Sequence, residues 1–421
     1  MSENVAWLVA FHFPPIKVSS GLERTVSLAR HLHRFGWSPV VISANSRAYD
    51  KTSNERLKDI PDSTRVVRAF ALDTARHLSV GGRYWSRMAY PDRWITWFLG
   101  GVFSGMALGL KRKPGLIWST YPIATAHLIG FALHKMTGRP WVADFRDPMV
   151  EYDEARQRWA PPDSRLRKAR LFIERLAVRH ASALTFCTTG ALEICKERYP
   201  DAAHHTWSVI PNGFDEDAFL QAEARQENRK AGAITLLHSG ILYQGSDRDP
   251  AVFLKAFRKY LDERGMDARP VKIMFRASTL ENIYRPVVEQ LGLSDAVFFG
   301  PAVPYVDALA EMLSSDGLLV FQGKSSNPAI PAKIYEYFRA RRPILALVDP
   351  EGSTAQLLRS EKVGIQAPLD DMEQTLSSLR KFIYDIEQGQ SVIMGTDRVS
   401  QFERTSGVKM FADLFSRVAR S

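Results

Sequence analysis

Residues 5–44 read VAWLVAFHFPPIKVSSGLERTVSLARHLHRFGWSPVVISA, and the succession of patterns in this stretch decides the fold class. Val5–Phe11 is a continuous apolar run, as expected of a strand covered on both faces. A loop from Pro14 to Ser20 follows. Gly21 to about Phe35 then places Leu22, Val26, Ala29 and Leu32 at helical spacing, and Gly36 stops the helix. Pro39–Ala44 is a second apolar run. Strand, loop, helix and strand in this order form a βαβ unit, which implies a parallel sheet.

The same rhythm continues along the chain. Further strands are expected at Arg65–Ala71, Leu116–Ser119, Trp141–Phe145, Ala183–Cys187 and Ser208–Ile210, with helices at Ile123–Met136 and Ser164–Ala181. A break comes at Pro211-Asn212-Gly213, and Gln221–Gly232 is polar and charged, so a hinge is expected near residues 211–232. The rhythm then restarts with strands at Ile234–His238, Lys272–Phe275, Val297–Phe299, Leu318–Phe321 and Ile344–Val348. Helices intervene near Pro250–Arg264, Leu280–Leu291, Pro304–Ser314 and Pro331–Arg341. The chain therefore reads as α/β, with two Rossmann-like domains in tandem over residues 1–210 and 213–395. A last helix, within residues 399–420, is expected to pack back on the first domain. Two parallel sheets facing each other would hold ligands in the cleft between the carboxyl ends of their strands.

Composition agrees with a globular protein of this size. The 421 residues are 45% hydrophobic and 24% charged, too many for one core and too apolar for disorder. The two cysteines, Cys187 and Cys195, form no disulfide framework and suit a reducing compartment. The apolar run at residues 1–13 contains Glu3 and leads into Pro14-Pro15, so it does not read as a secretory signal, and a cytoplasmic location is expected. The net charge of +10 asks for an acidic partner: nucleic acid, an anionic membrane or a phosphorylated substrate. Trp94–Leu110 is uncharged and glycine-rich; it reads as a buried helix, an interfacial anchor or a short membrane span.

The candidate chemistry lies just after strands. Ser325–Phe338 follows the strand Leu318–Phe321, and Pro331 suits a first helical turn whose free N–H groups favour an anion such as a diphosphate. Lys333 and Glu336 share a face of that helix; one can hold phosphate while the other accepts ribose hydroxyls, or the two form a solvated pair. Gly21 opens the first helix where backbone can approach a ligand, without the G-x-G-x-x-G fingerprint of dinucleotide enzymes. Asp144, Arg146 and Asp147 cluster at the end of the strand Trp141–Phe145, as site residues or as an internal Asp–Arg pair. His127 reads as a packed histidine, with His12 another candidate after the first strand.

Taken together, Phe13-Pro14-Pro15, Ser20-Gly21-Leu22-Glu23-Arg24, Pro211-Asn212-Gly213-Phe214-Asp215, Ile330–Phe338 and Arg342-Pro343-Ile344 resemble, in order and spacing, the retaining glycosyltransferases of glycosyltransferase family 4. That resemblance covers most of the chain and implies the GT-B fold, two Rossmann-like domains facing each other across a cleft. It implies transfer of a sugar from a nucleotide sugar to an acceptor hydroxyl with retention and without a required metal, in surface polysaccharide or glycolipid assembly. Glu336 would bind the ribose; Lys333, Arg248 and the loop at Gly240 would meet the diphosphate; Gly21 would let backbone approach the donor, and Asn327 or backbone N–H groups would take over the donor-sugar contact that Pro328 does not make. The D-x-R-D-P pattern of Asp144, Arg146 and Asp147 would face the cleft, with Asp147 orienting the acceptor and Arg146 holding phosphate or bracing the carboxylates. The chain departs from the family at Ser20, at Ile241 where an arginine is usual (Arg248 or Arg276 would replace it), and at Pro328 where the first of two paired glutamates is usual. These departures motivate two other readings, a non-catalytic scaffold and a sugar-nucleotide epimerase of the same fold. Asp215-Glu216-Asp217 and Asp247-Arg248-Asp249 read as incidental rather than metal-binding.

Two basic clusters complete the reading: Arg83, Trp85, Arg87, Arg93, Trp94 and Trp97, then Arg156 to Arg179 with Phe172 and Leu176 on the apolar side. They suit peripheral contact with anionic lipid at the inner face of a membrane, with a lipid-linked glycan as acceptor, or else form a solvated face. No nucleic-acid module is present in the sequence pattern, and none is expected as a partner.

Overall fold

The computed structural model describes residues 4–17, 20–111, 113–202, 206–225, 232–245, 247–265 and 268–420. Glu3, Arg112, Ser246 and residues 226–231 of the polar linker lie outside the described residues, as does the side chain of Ser20. The chain divides into two compact units. One holds Met1–Asp153, Arg158–Asn212 and Arg404–Ser421; the other holds Glu154–Gln157 and Gly213–Glu403.

The first unit is built on β1 (Asn4–Val9), β2 (Trp37–Ala44), β3 (Arg65–Ala69), β4 (Leu116–Thr120), β5 (Trp141–Arg146), β8 (Ala183–Phe186) and β9 (Thr206–Val209); β6 (Glu151–Asp153) and β7 (Arg158–Ala160) form a separate hairpin. Among the described residues the seven strands run parallel in the order β3-β2-β1-β4-β5-β8-β9, so the order reverses between β1 and β4. That reversal is where a doubly wound sheet opens a crevice. The strands β4 and β5 are buried along their whole length, as their apolar sequences require in a sheet covered on both faces.

Helices Trp97–Lys111, Thr125–Thr137 and Ser164–His180 follow β3, β4 and β5 in turn. The helix Arg404–Val418 belongs to this unit, with Phe415 edge-on to Trp37 at 5.7 Å and Phe411 edge-on to Trp118 at 5.9 Å. It starts later than the 399 expected, because Thr396–Val399 and the turn Ser400–Phe402 pack in the second unit, where Phe402 meets Tyr335 and Phe338.

The second unit repeats the design with β10 (Ile234–Ser239), β11 (Val271–Arg276), β12 (Val297–Gly300), β13 (Gly317–Gln322), β14 (Ile344–Val348) and β15 (Ile365–Ala367). These strands are parallel in the order β12-β11-β10-β13-β14-β15, and the order reverses between β10 and β13. The three-residue β15 and the helix Met372–Glu387 were not among the expected elements.

The segment Trp94–Leu110 is neither a wholly buried helix nor a span. Trp97 and Leu108 are buried, whereas Leu99, Phe103 and Leu110 are exposed. Among the described residues no helix is long and apolar enough to cross a membrane. The first basic cluster also divides. Arg83, Trp85 and Arg87 are exposed, but Arg93 pairs with Asp73 at 2.8 Å and stacks on Trp94, and Trp97 lies in the core.

Candidate functional site

In the second unit the residues of interest gather where β10 and β13 end. His238, the fifth residue of β10, is fully buried, and its Nε2 lies 3.1 Å from the Lys333 Nζ. Burial, then the charges of Lys333 and Arg248, hold His238 well below its ordinary pKa, so the ring is neutral and can accept from the ammonium. Burial and the repulsion of Arg248 bring Lys333 down to about 7, against a smaller upward pull from Glu336. Two basic side chains and a neutral acceptor thus converge, with Asp247 3.9 Å from the Arg248 Nε as the nearest carboxylate to Arg248.

Gly240 fits this cluster for two reasons. Its φ is +118°, and a Cβ there would stand 3.0 Å from the Lys333 Nζ. The loop after β10 is fastened to the loop after β13 by Asp247, which accepts from the Gly323 N–H at 3.2 Å and the Ser326 hydroxyl at 3.1 Å. Asp249 accepts from the N–H groups of Gly245 and Ala251 and from the Tyr284 hydroxyl. Both carboxylates of Asp247-Arg248-Asp249 therefore hold the loop that presents Arg248. Arg248 itself has a positive φ of 43°, a strained setting for a side chain, and its guanidinium lies over the Tyr243 ring at 5.1 Å.

Glu336 is one helical turn from Lys333 and accepts from the Tyr305 hydroxyl at 2.8 Å. Tyr305 carried no role in the sequence reading. The helix begins at Lys333, two residues after Pro331, and the N–H groups of Ile334 and Tyr335 already bond to the carbonyls of Pro331 and Ala332. The expectation that the N–H groups of this turn are free for an anion is corrected for these two, which are already bonded within the turn. Asn327 is also engaged, its side-chain amide donating to Asp349 at 2.8 Å and its main-chain carbonyl accepting from the Ser353 N–H. It joins the loops after β13 and β14 rather than offering that amide to a ligand. Arg276 forms a two-pronged pair with Glu311 at 2.6 and 2.8 Å and is not spare; Ile241 is exposed.

In the first unit Asp144 is fully buried and saturated. It takes two hydrogen bonds from Arg24, at 3.0 and 3.1 Å, one from Thr120 at 2.8 Å and one from Thr185 at 2.7 Å. Arg24 in turn donates to the carbonyls of Ile210 and Pro211. Asp144 is therefore the carboxylate of an internal Asp–Arg pair, with Arg24, and is closed to solvent, a correction to its placement among groups that touch substrate. A register shift between Asp144 and Arg146, with φ of 62° at Arg146, turns the end of β5 outward. Arg146 reaches the Gly21 carbonyl at 3.4 Å, and Asp147 is exposed. A Cβ on Gly21 would stand 2.5 Å from the His12 Nδ1 and 3.5 Å from an Arg146 nitrogen, so Gly21, His12 and Arg146 meet at the end of β1. Burial, then Arg146, holds His12 at about 4, so it is neutral. His127 is packed against Phe145 at 5.0 Å and bonds to the Ser119 hydroxyl at 2.7 Å, away from this group.

Residues 21–213 match the glycosyl transferase 4-like domain family. Comparison with curated protein sequences finds no match. Among solved structures, sucrose-phosphate synthase from Thermosynechococcus elongatus is similar over 99% of this chain and 100% of its own, with 15% identity and a TM-score of 0.66. HepE of Anabaena, solved in complex with UDP-glucose, shares 14% identity over 98% of this chain and 99% of its own, with a TM-score of 0.63. WaaG, a glycosyltransferase involved in lipopolysaccharide biosynthesis, gives 14%, 99%, 98% and 0.55 in the same order. At such identities the likeness establishes the fold. The family match is confined to residues 21–213, and over its whole length the chain has the GT-B fold.

Proposed function

We propose that this protein is a retaining glycosyltransferase that moves a hexosyl or related sugar from a nucleotide sugar to an acceptor hydroxyl, in the assembly of a surface polysaccharide or glycolipid. The observation that carries the reading is the convergence of Lys333 and Arg248 on the space beside His238 and Gly240, at the end of β10 where the sheet order reverses. In this reading the donor diphosphate occupies that space, and Glu336, one turn further, takes the ribose hydroxyls. As the bond from the sugar C1 to the diphosphate breaks, charge grows on the leaving group, and preorganised donors in such positions each contribute roughly 3 kcal/mol to the barrier reduction. Side-chain cations supply this stabilisation, so no metal or other cofactor is assigned to the reaction. The acceptor oxygen takes the vacated position on the same face of the sugar, and its proton passes to the departing diphosphate oxygen. Asp147 is the first unit's candidate for orienting an acceptor hydroxyl, with Arg146 beside it to hold phosphate or brace the carboxylates.

Incubation with labelled nucleotide sugars tests the proposal: transfer to an acceptor, or slow hydrolysis without one, supports it. A donor that binds but is never cleaved would favour the scaffold reading, for which Ser20, Ile241 and Pro328 are the motivating residues.

Two further outcomes follow from the geometry. Because Lys333 titrates at about 7 in the free protein and its cation holds the diphosphate, binding takes up a proton. Donor affinity is therefore full below that pH and falls above it, by up to about tenfold per pH unit, until the bound lysine also loses its proton. Calorimetric titrations in buffers of different ionisation enthalpy measure that uptake directly. Gly240→Ala meets both the positive φ and the Lys333 ammonium. It is expected to lower stability by about 1–3 kcal/mol, the strain of one such residue, and to weaken donor binding by displacing the Lys333 ammonium, with the melting temperature and the dissociation constant as readouts.

A further inference from the structure

Three neighbouring helices of the first unit present an outer surface that the proposed transfer reaction does not use. Gly101 and Gly105 of the helix Trp97–Lys111 press against Ile129 and Leu133 of the helix Thr125–Thr137. That helix in turn meets Ser164–His180, where Phe131 lies 5.1 Å from His180. With the glycines turned inward, the opposite stripe of the first helix is apolar and bare: Leu99 is 71% exposed, Phe103 77% and Leu110 88%. These positions follow one another at four and seven residues, so they line a single face.

The third helix adds charge to the same side of the sheet. Arg165, Lys168, Arg175 and Arg179 are exposed at spacings of three, seven and four, with exposed Phe172 among them. Among the described residues none of these four cations makes an ion pair, whereas Arg167 and Arg170 nearby are engaged by Pro161, Pro162 and Tyr121. The three helices carry a single acidic side chain, Glu174, which is buried and paired with Arg198.

We infer that this face of the first unit docks onto an anionic lipid membrane, the apolar stripe entering the headgroup boundary and the four cations meeting lipid phosphates. A face that is apolar along one helix and unpaired and basic along the next matches both layers of such a surface. The same unpaired cations would repel a second copy of the chain, which is the argument against self-association here. The inference stands on residues apart from Lys333 and Glu336, so it survives or fails independently of the donor site.

The test is co-sedimentation of the full chain with vesicles of phosphatidylglycerol and phosphatidylcholine, compared with phosphatidylcholine alone. Binding is expected to the anionic vesicles only. Arg175→Glu with Arg179→Glu should lower the partition coefficient by at least about tenfold, since each basic residue at an anionic surface is worth roughly one such step or somewhat less. Leu99→Asp with Phe103→Asp should reduce it comparably, while circular dichroism shows both variants folded. High salt should weaken the wild-type binding by screening. Equal binding to both vesicle types, no binding to either, or unchanged binding by the folded variants would overturn the inference, as would a dimer through this face that ignores vesicles.

Discussion

Lys333→Ala is expected to lower the transfer rate by about 100- to 1000-fold, the usual consequence of removing one preorganised group that meets developing charge. The loss should appear chiefly in kcat, because the leaving diphosphate gains charge as the bond breaks and Lys333 meets that gain. Arg248 remains in place and sustains part of the binding. A second signature separates this role from mere packing. In the free protein Lys333 titrates at about 7, held there by burial and by Arg248. The variant should therefore lose the decline of donor affinity above neutral pH, keeping a flat, weaker profile. Lys333→Arg keeps the charge but cannot titrate, so it should flatten the profile with a smaller loss of rate. Steady-state kinetics between pH 6 and pH 9 resolve these outcomes. The substitution also bears on stability. A lysine whose pKa is depressed in the folded state disfavours folding below its unfolded pKa, so wild-type stability gains with rising pH from about 7 upward, and the alanine variant should lack that gain.

Asp144→Ala should be the most destabilising single change in the first unit, at about 3–5 kcal/mol. It would leave the Arg24 guanidinium, itself buried, facing its own charge without a carboxylate, and would strip the hydroxyls of Thr120 and Thr185 of their acceptor. The contacts of Arg24 with the carbonyls of Ile210 and Pro211 would loosen with it. Replacing both partners by apolar residues, Asp144→Leu with Arg24→Met, should recover much of that loss, because no charge is then buried alone. Urea unfolding followed by tryptophan fluorescence measures both, since Trp118 and Trp141 lie in the adjoining strands β4 and β5. If Asp144→Ala unfolds at the wild-type midpoint, its carboxylate is not the keystone described here.

The strands were legible because parallel sheets covered on both faces impose long apolar runs, as in Val5–Phe11 and Ile344–Val348. β15 escaped notice because three residues cannot display a period, and its residues Ile365-Gln366-Ala367 mix polar with apolar. The placement of Lys333 and Glu336 on one helix face followed from spacing alone. Their partners did not. His238 was read only as the end of a strand, although a histidine closing an apolar run is a signal that could have drawn attention. Tyr305 lies 31 residues from Glu336, and Arg24 lies 120 from Asp144, so tertiary folding alone brings each pair together. For the same reason Asp144 resembled a site residue in the sequence: its charge was visible and its saturation by Arg24, Thr120 and Thr185 was not.

Binding of a nucleotide sugar by the second unit, through Glu336 and its cationic neighbours, is the proposal on which the transfer reaction rests. A thermal-shift screen of wild type and Glu336→Ala against UDP-, GDP-, ADP- and dTDP-sugars tests it most directly. Ligand at a hundredfold excess over its dissociation constant stabilises a fold by about 2.7 kcal/mol. At least one of these donors is expected to raise the melting temperature of the wild type, and the shift should largely disappear in Glu336→Ala. A panel in which no donor shifts the wild type, or in which both proteins shift alike, would contradict it.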